Sequence, residues 1–489
     1  MFKKLLLVLV LSFSLNSFSQ EEITTFKNYL KTSFTGIKEV IPIVNEKNND
    51  ISLFIVDATK IYGYVLNEKF EVKNQLSSED RSRKYKTLIG NSISEDNDYR
   101  VYLANTKRNK FASVKFSYKN QNSSFKEFSL ESKNEKFIQT ATYNNEFYLF
   151  SVLKNTSIIK IYSFDDEANY VVTSVDFSKD RFIDNSLKNT TLYKLLTVSS
   201  GAYGMGKSVD IDKIDENTPN SIEVTSNFRK LYLKDSKIIF SFDQNKNFTQ
   251  VITIDLNSFE KDIKRFKKPF NEVQSISKKT NSYINGDYVY MIASTNEKFE
   301  FKIQEFNSGN VKKTYSATVN DSITFKNTPI IQKGGMYDDY RELEKTKKFL
   351  RKITAGNIGI STHKIDNKYQ ITLGSKLDQA TGGMMMPMGG FGEVPIGNVG
   401  SVSVYFNPTY FAYNSYSNTK STYIKCLFDT QFNHVLGEVK ENSFDKIKEF
   451  KEENHYFPKG KTVFKYKDYY ILGNYFSGPK EYRLRKFKD

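Results

Sequence analysis

The stretch Asp98–Ser117, DYRVYLANTKRNKFASVKFS, holds two runs of aromatic and β-branched residues separated by a short polar segment. Apolar and polar residues alternate along both runs, with the period of two that is typical of a half-buried β-strand. Asn and Lys, which are frequent in tight turns, occupy the segment between the runs. The stretch therefore predicts a β-hairpin.

The same unit recurs along the chain. It starts again at four more positions: Asp50 (DISLFIVDATKIYGYVL), Glu146 (EFYLFSVLKNTSIIKIYSFD), Lys237 (KIIFSFDQNKNFTQVITIDL) and Asp287 (DYVYMIASTNEKFEFKIQEF). Less regular copies start at Ser401 and Asp468. Successive starts of the five regular copies are 48, 48, 91 and 50 residues apart. Because 91 is close to two periods, a degenerate copy is expected around Thr190 (TTLYKLLTVSS).

A period in the high forties matches one four-stranded blade of a β-propeller. The sequence thus predicts an all-β fold, a single propeller of about seven four-stranded blades with a range of six to eight. We place this domain at residues 35–489, after a lead-in at residues 20–34. The first and last strands are expected to complete one shared blade, because the repeat reaches almost to Asp489.

The paired strands, and NSIEVTSNFRKLYLKDSKIIFSFDQNKNFTQVITIDL from Asn220 in particular, resemble the blades of secreted β-propeller-like repeat proteins that are common in Bacteroidota envelopes. The resemblance covers most of residues 35–489. The chain lacks the Trp-Asp and Gly-His marks of WD40 repeats and the double glycines of kelch repeats. The resemblance therefore implies an architecture and brings no catalytic motif with it.

Residues 1–19 have the layout of a secretory signal peptide. Two lysines precede an apolar run from Leu5 to Leu15, and small residues lead to a predicted cleavage site near Ser19. We therefore expect an exported protein of the periplasm, the outer surface or the medium. The single Cys426 rules out an intrachain disulfide and is expected to be a buried free thiol.

Basic residues outnumber acidic ones, 72 to 56, which gives a formal net charge of +16. This excess predicts attraction to polyanions, so an acidic polysaccharide is one expected partner and an envelope protein is the other. A solvated lysine-rich surface explains the same composition. The sequence contains no run of five or six basic residues that would mark one patch.

The stretch Gly201–Ser208, GAYGMGKS, matches the phosphate-binding pattern G-x-x-x-x-G-K-[ST]. A working phosphate loop needs a helix directly after the Lys-Ser pair, since the helix N-terminus helps to hold the phosphates. Here VDIDKIDENTP follows, which is a poor helix former and reaches Pro219. We expect a glycine-rich connection and no nucleotide site, and we predict no other cofactor.

Two segments interrupt the repeat. Residues 338–356 predict one inserted helix, with Leu343, Phe349, Leu350 and Ile353 on one face and Gly356 just past the end. Residues 378–400, DQATGGMMMPMGGFGEVPIGNVG, form a Gly/Met-rich loop. Methionine and phenylalanine give an adaptable apolar surface. The predicted partner-binding residues, for an envelope protein or for peripheral contact with a membrane, are Met384, Met385, Met386, Met388 and Phe391. A disordered loop without a role and copper(I) capture by the thioethers are the alternatives.

No catalytic constellation emerges from the sequence. His363, His434 and His455 lie in separate repeats without a hydrolase or zinc motif, so a metal site stays unknown. The turn SEDNDYR from Ser94 has acids that could hold calcium, although a solvated turn is the favoured interpretation. The sequence favours a non-catalytic binding or scaffolding protein. The alternative is a polysaccharide-processing enzyme with paired acids at the central channel of the propeller.

Overall fold

The computed structural model describes residues 20–32, 35–79, 82, 84–131, 133–200, 206–209, 211–270, 277–333, 340–376, 407–418, 420–454 and 459–489. Most of the described chain is β-strand. The first half contains β1 Gln20–Lys27, β2 Glu39–Val44, β3 Ile51–Val56, β4 Ile61–Leu66, β5 Val72–Ser77, β6 Thr87–Ile93, β7 Tyr99–Ala104, β8 Phe111–Ser117, β9 Asn122–Phe128, β10 Glu135–Tyr143, β11 Glu146–Leu153, β12 Ile158–Phe164, β13 Tyr170–Asp176, β14 Phe182–Ile183, β15 Asn189–Thr190, β16 Thr197–Ser200 and β17 Gly206–Val209.

The second half contains β18 Asp212–Ile214, β19 Arg229–Lys234, β20 Lys237–Phe242, β21 Phe248–Asp255, β22 Lys261–Lys267, β23 Lys279–Asn285, β24 Tyr288–Ser294, β25 Lys298–Glu305, β26 Val311–Thr318, β27 Ile330–Lys333, β28 Arg341–Leu343, β29 Asn357–Ile365, β30 Lys368–Lys376, β31 Ser421–Phe428, β32 Lys459–Tyr466, β33 Tyr469–Phe476 and β34 Glu481–Phe487. The helices are α1 Leu192–Leu196, α2 Ile222–Thr225, α3 Thr346–Ala355, α4 Pro408–Ser417 and α5 Ser443–Asn454.

These strands form seven blade-sized sheets, as a propeller requires. Blade 1 is β2–β5, blade 2 is β6–β9, blade 3 is β10–β13, blade 4 is β19–β22 with β18 added, and blade 5 is β23–β26. Blade 6 combines β27 to β31 in the order β28-β27-β31-β30-β29. The closing blade has the order β1-β34-β33-β32. The predicted all-β propeller of about seven blades is confirmed.

The hairpin unit found in the sequence is the middle of a blade. In blade 1 every residue of β3 and β4 is buried, because neighbouring blades cover both faces of these strands. The outer strand β5 has no buried residue. The apolar runs of the sequence therefore mark the second and third strands of a blade, and the outer strands give a weaker signal.

The ring closes through strands from both ends of the described chain. Strand β1 pairs antiparallel with β34 from Gln20↔Phe487 to Lys27↔Glu481. The half-buried Ile23 and Phe26 of β1 pack on the core shared by the closing blade and blade 1. A shared blade removes the open sheet edge that an unclosed ring would expose.

The expected extra repeat around Thr190 is wrong. Between blades 3 and 4 the chain forms the small hairpins β14–β15 and β16–β17 and the short helix α1, and none of these extends into a four-stranded sheet. Leu192, Leu195 and Leu196 of α1 are buried in the core between blades 3 and 4. The apolar residues of this stretch thus form the buried face of a short helix and not the strands of a blade.

Residues 211–226, which we call the channel segment, run along the inside of the ring. Strand β18 pairs parallel to β19, the innermost antiparallel strand of blade 4. Further along, Asn285 Nδ2 of blade 5 donates to Glu216 O at 2.6 Å, and Tyr470 Oη of the closing blade donates to Asn217 O at 2.7 Å. The segment therefore bridges blades on different sides of the central channel.

The inserted helix is shorter than the prediction of residues 338–356. Helix α3 begins at Thr346, whereas Arg341–Leu343 form strand β28 on β27. Pairing with β27 overrides the helix propensity of the Arg-Glu-Leu sequence. Leu343, Phe349, Leu350 and Ile353 are all buried in the core of blades 5 and 6.

The irregular copy predicted from Ser401 is also wrong in part, because Pro408–Ser417 form helix α4. The Asn407 side chain accepts a hydrogen bond from Tyr410 N, and Pro408 stands at the first helical position. Both features favour a helix start.

Among the described residues, none of the helices combines the length and hydropathy that a membrane crossing needs.

A buried ion network joins blades 4 and 5. The carboxylate of Asp243 accepts from Lys230 Nζ at 3.0 Å and from Lys268 Nζ at 2.9 Å, and all three side chains are fully buried. Ser282 of blade 5 donates to the same carboxylate at 2.9 Å. Burial lowers the pKa of both lysines, although the nearby Asp243 opposes this effect.

Candidate functional site

A polar cleft lies between blades 1 and 2, on the face that carries the β2–β3, β4–β5, β6–β7 and β8–β9 turns. Its volume is about 270 Å³, which corresponds to about nine water molecules at ~30 Å³ each. We call it the interblade cleft. It is lined by Asn48, Asp50, Val65, Lys73, Asn74, Asp96, Asn97, Tyr99, Tyr118 and Lys119.

The walls of the interblade cleft are held together by contacts between the two blades. Asn45 Nδ2 of blade 1 donates to Asn97 Oδ1 of blade 2 at 3.2 Å. The Phe54 ring lies 4.9 Å from the Phe116 ring across the same interface. A side chain at Gly63 would place its Cβ 2.4 Å from the Tyr118 hydroxyl, so glycine permits this close approach. The cleft is therefore preformed.

Part of the polar lining is already engaged in hydrogen bonds and an ion pair within the protein. Asp50 is buried, and its Oδ2 accepts from Lys73 Nζ at 3.1 Å and from Asn48 Nδ2 at 3.1 Å. The Asn48 side chain also accepts from Asp50 N at 2.9 Å, which fixes the turn. These groups shape one wall, and the ion pair cancels their formal charge.

Another part of the lining is free to bind. Among the described residues, no hydrogen bond or ion pair involves the side chains of Asn74, Asp96 or Lys119. All three residues are exposed. Together they offer an amide, a carboxylate and an ammonium group, and the two formal charges balance.

Two buried tyrosines form part of the cleft wall. Tyr99 is 2% exposed and Tyr118 is 7% exposed, and the hydroxyl oxygens of both are enclosed by the protein. The Tyr118 hydroxyl packs against Gly63 and has no hydrogen-bond partner among the described residues. The Tyr99 hydroxyl lies close to Ser52 and Asn45, and burial raises the pKa of Tyr99. These tyrosines therefore fix the shape of the cleft.

A shallower depression, the rim groove, adjoins the cleft at Lys73 and Asn74 and has a volume of about 490 Å³. Its lining is Phe26, Lys27, Tyr29, Tyr64, Val72, Lys73, Asn74, Gln75 and Gln121. Tyr29 is 76% exposed, which is unusual for so large a ring. The rim groove thus places an aromatic ring beside amide side chains.

The predicted partner-binding residues lie outside the described residues. Met384, Met385, Met386, Met388 and Phe391 all fall within residues 377–406, so their role stays a prediction. The interblade cleft was not predicted as a site. One signal for it was present, since the SEDNDYR turn from Ser94 supplies Asp96, Asn97 and Tyr99.

The structure places the Lys-Ser pair of GAYGMGKS in a strand. Gly206–Val209 form β17, which pairs antiparallel with β16, and β18 follows. A strand at this position differs from the helix that a phosphate loop needs. Residues 201–205 lie outside the described residues, and the absence of nucleotide binding stays a prediction.

The other candidate metal and redox residues serve packing or local contacts. Cys426 is fully buried, as predicted, and burial raises the pKa of its thiol. His363 Nε2 lies 2.8 Å from Asp489 Oδ2, and His434 Nε2 lies 3.0 Å from Asn327 Oδ1. His455 is outside the described residues. Within the described ranges no three His, Cys, Asp or Glu side chains are grouped for a metal ion.

Acidic residues of the channel segment hold that segment in place. Asp215 Oδ2 accepts from Thr409 Oγ1 at 2.9 Å, and Glu216 Oε2 accepts from Gly286 N at 2.8 Å. Glu223 Oε1 accepts from Lys420 N at 2.6 Å. These carboxylates therefore have structural partners on α4, blade 5 and the stretch before β31.

Part of the basic excess connects neighbouring blades. Lys126 donates to Glu167 O at 2.8 Å, Lys234 to Gly286 O at 2.9 Å and Lys264 to Phe306 O at 3.2 Å. Each of these lysines caps a turn of the next blade in the ring. These three lysines are thus engaged by contacts within the ring.

The chain matches no protein-family model and no curated protein. Among solved structures it is similar to the β-propeller domain of Nup133 from Vanderwaltozyma polyspora, with 10% identity over 74% of this chain and 86% of that one and a TM-score of 0.30. It is also similar to the Dos1 propeller, with 8% identity over 97% and 94% of the two chains and a TM-score of 0.28. These likenesses concern the fold alone, and the sheet topology establishes the propeller.

Proposed function

We propose that this protein is a non-catalytic binding protein and that its ligand enters the interblade cleft. The observation that carries this proposal is the set of three exposed side chains, Asn74, Asp96 and Lys119, that line the cleft without a hydrogen-bond or ion-pair partner among the described residues. An amide, a carboxylate and an ammonium group that line one preformed cleft can together bind the polar groups of a ligand.

The propeller supports binding because it supplies rigid walls. The Asn45–Asn97 hydrogen bond and the Phe54–Phe116 contact hold blades 1 and 2 in register before any ligand arrives. A preformed site avoids much of the ordering cost of association. A scaffolding role in which the ring presents this cleft follows from the same geometry.

Two observations favour binding over catalysis. Asp50, the buried acid of the cleft, is committed to Lys73 and Asn48. Asp215, Glu216 and Glu223 near the channel are committed to holding the channel segment. The acids near the channel are therefore occupied by structural contacts. In the lining of the cleft only Asp96 is left unengaged, so the lining does not supply the two free carboxyl groups that glycoside cleavage needs.

The site of action that we propose is the cell envelope. Residues 1–19 have the pattern of a secretory signal, which supports export to the periplasm or the cell surface. The Gly/Met-rich loop at residues 378–400 is proposed as a second contact, with an envelope protein as its partner. The cleft and the loop are separate proposals that can fail separately.

The experiment is affinity capture from envelope extract with residues 20–489 as bait. It compares the unchanged bait with Asp96→Ala combined with Lys119→Ala, and with a bait that lacks residues 378–400. Asp287→Ala combined with Lys234→Ala, an exposed acid on the corresponding turn of blade 5 and its basic partner on blade 4, is the matched control. We expect the double cleft variant to lose a retained ligand that the control keeps. Equal retention by the unchanged bait, the double cleft variant and the control would contradict the proposal.

A further inference from the structure

We infer that the ligand of the interblade cleft is a neutral oligosaccharide, whose chain continues into the rim groove and stacks a sugar ring on Tyr29. This inference rests on the proposed function and adds the chemical class of the ligand. Three features of the site carry it: the balance of charge, the kind of polar groups and the exposed aromatic ring.

The charge of the cleft is balanced. Lys73 is paired with Asp50, which leaves Asp96 and Lys119 as one free acid and one free base. A polyanion such as an acidic polysaccharide is recognised by several uncompensated basic groups, commonly arginine forks. The lining of the cleft contains no arginine. The rim groove adds the ammonium group of Lys27, so the whole site has one uncompensated base, fewer than a polyanion requires. The site is therefore suited to a ligand without net charge, in contrast to the expectation from the whole-chain charge.

The polar groups suit hydroxyl ligands. A sugar hydroxyl both donates and accepts, so it needs a carboxylate or carbonyl acceptor and an amide or ammonium donor within reach. Asp96 offers the acceptor, Lys119 the donor and Asn74 both, and none of these three is engaged by the described residues. The only aliphatic side chain in the lining is Val65, so an apolar ligand would find little surface to bury.

The rim groove supplies the stacking surface. Tyr29 is 76% exposed, and within the described chain its hydroxyl has no hydrogen-bond partner. Gln75 and Gln121 line the same groove; Gln121 Nε2 donates to Tyr118 O at 2.6 Å, whereas no described residue engages the Gln75 amide. An aromatic face presents an apolar surface to the C–H face of a sugar, and flanking amides can bind the hydroxyls at its edge. Lys73 and Asn74 border both depressions, so one chain can occupy the two.

A peptide is the main competitor for this site. Strand β5 is an outer strand, and a peptide could add to its free edge as a further strand. Lys73 lies on that strand, and an exposed lysine is a common protection against such pairing. The uncommitted amide and carboxylate groups face the cleft between the blades, which favours the saccharide.

The test is affinity electrophoresis through gels that contain one soluble polysaccharide each. The neutral probes are xyloglucan, galactomannan, arabinoxylan and dextran, and the anionic probe is polygalacturonate, each at low and high salt. We expect at least one neutral probe to slow the protein with little effect of salt. Tyr29→Ala should weaken that interaction about 2- to 12-fold, as one lost aromatic contact predicts. Asp96→Ala should weaken it about 10-fold or more.

Tyr340→Ala is the matched control for Tyr29→Ala, since Tyr340 is 56% exposed and lies in blade 6 next to β28. Retardation by polygalacturonate alone, abolished by salt, would overturn the neutral class. So would failure of every neutral probe to slow the protein. If envelope capture then still depended on Asp96 and Lys119, the proposed function would stand with a ligand of another class. If capture did not depend on them either, both proposals would fall.

Discussion

Replacement of Asp243 by Asn should destabilise the ring more than any surface change of the same kind. Asp243 Oδ1 and Oδ2 accept from Lys268 Nζ and Lys230 Nζ at 2.9 and 3.0 Å, and from Thr249 and Ser282 at 2.7 and 2.9 Å. Asparagine keeps the shape but removes the charge. Two fully buried ammonium groups would then lack a counter-charge.

The loss of free energy of unfolding expected for Asp243→Asn follows from the burial of these charged groups. Breaking a buried ion pair by removing one partner costs about 3–5 kcal/mol, because the remaining charge is left in a poorly solvated place. The free energy of unfolding of a whole domain is only about 5–15 kcal/mol, so Asp243→Asn should remove a large part of it. Asp287→Asn is the control: Asp287 is 80% exposed and pairs with Lys234, and such pairs contribute less than about 1 kcal/mol.

The pH dependence gives a second readout. Burial lowers the pKa of Lys230 and Lys268, and without Asp243 it should lower them further. The folded variant can then shed these protons at a pH where the unfolded chain, with a lysine pKa of about 10.4, still binds them. The loss of stability should therefore shrink as pH rises from neutral toward 10.4.

The assay is urea unfolding of the unchanged protein, Asp243→Asn and Asp287→Asn, followed by far-UV circular dichroism at neutral and alkaline pH. A cost below about 1 kcal/mol for Asp243→Asn, or a cost equal to that of Asp287→Asn, would refute the reasoning. A cost that grows with pH would refute its electrostatic part.

Three further predictions concern the cleft, the channel and the closure of the ring. Tyr118→Phe should leave stability unchanged or raise it, because its buried hydroxyl has no partner among the described residues. Tyr62→Phe should cost about 1.5–3 kcal/mol, because Tyr62 Oη donates to Asp57 Oδ2 at 2.9 Å. Thermal unfolding compares the two variants, and equal losses would count against an unpartnered hydroxyl. Lys213 on β18 is half-buried, and desolvation lowers its pKa to about 8. Lys213→Met should therefore stabilise most at neutral pH and progressively less above pH 8, as urea unfolding across that range measures. A gain independent of pH would be inconsistent with a desolvated charge. Deletion of residues 20–27 removes β1, the pairing partner of β34. Amide hydrogen exchange should therefore accelerate in β34 and stay unchanged in β11 and β12. Uniform acceleration in all blades would contradict this, because it would mean that the ring opens as a whole.

The sequence was sufficient to predict the propeller because the pair of apolar runs that marks the middle of a blade is repeated along the chain. The middle strands of each blade are buried on both faces, so their apolar runs recur wherever a blade occurs, as at Asp98 and Glu146. The outer strands face solvent and give little signal. The spacing of the middle hairpins alone miscounts the blades, because the 91-residue interval contains no extra blade among the described residues.

The errors occurred where local signals compete. The Thr190 region has the apolar content of a blade, yet its apolar residues belong to the short helix α1, which buries them between blades 3 and 4. Helix α5 was missed although Phe444, Ile447 and Phe450, which share one face, are buried. A period near three in that segment was a usable signal, as were Asn407 and Pro408 for α4.

The interblade cleft could not be predicted because its parts are far apart in sequence. Asp50, Lys73 and Asp96 meet only when blades 1 and 2 pack side by side. A sequence shows that the turn from Ser94 is acidic, but it does not show which turn of the neighbouring blade faces it. Nor does it show that the side chains of Asn74, Asp96 and Lys119 are left without partners among the described residues there.

The central claim is that a ligand occupies the interblade cleft, and the most direct measurement is a crystal structure of residues 20–489 with the oligosaccharide of the polysaccharide that slows the protein most. The account predicts density for a sugar within hydrogen-bond distance of Asp96 and Lys119, with a further ring stacked on Tyr29. Density at the mouth of the central channel or on the opposite face, with the cleft filled only by solvent, would contradict it.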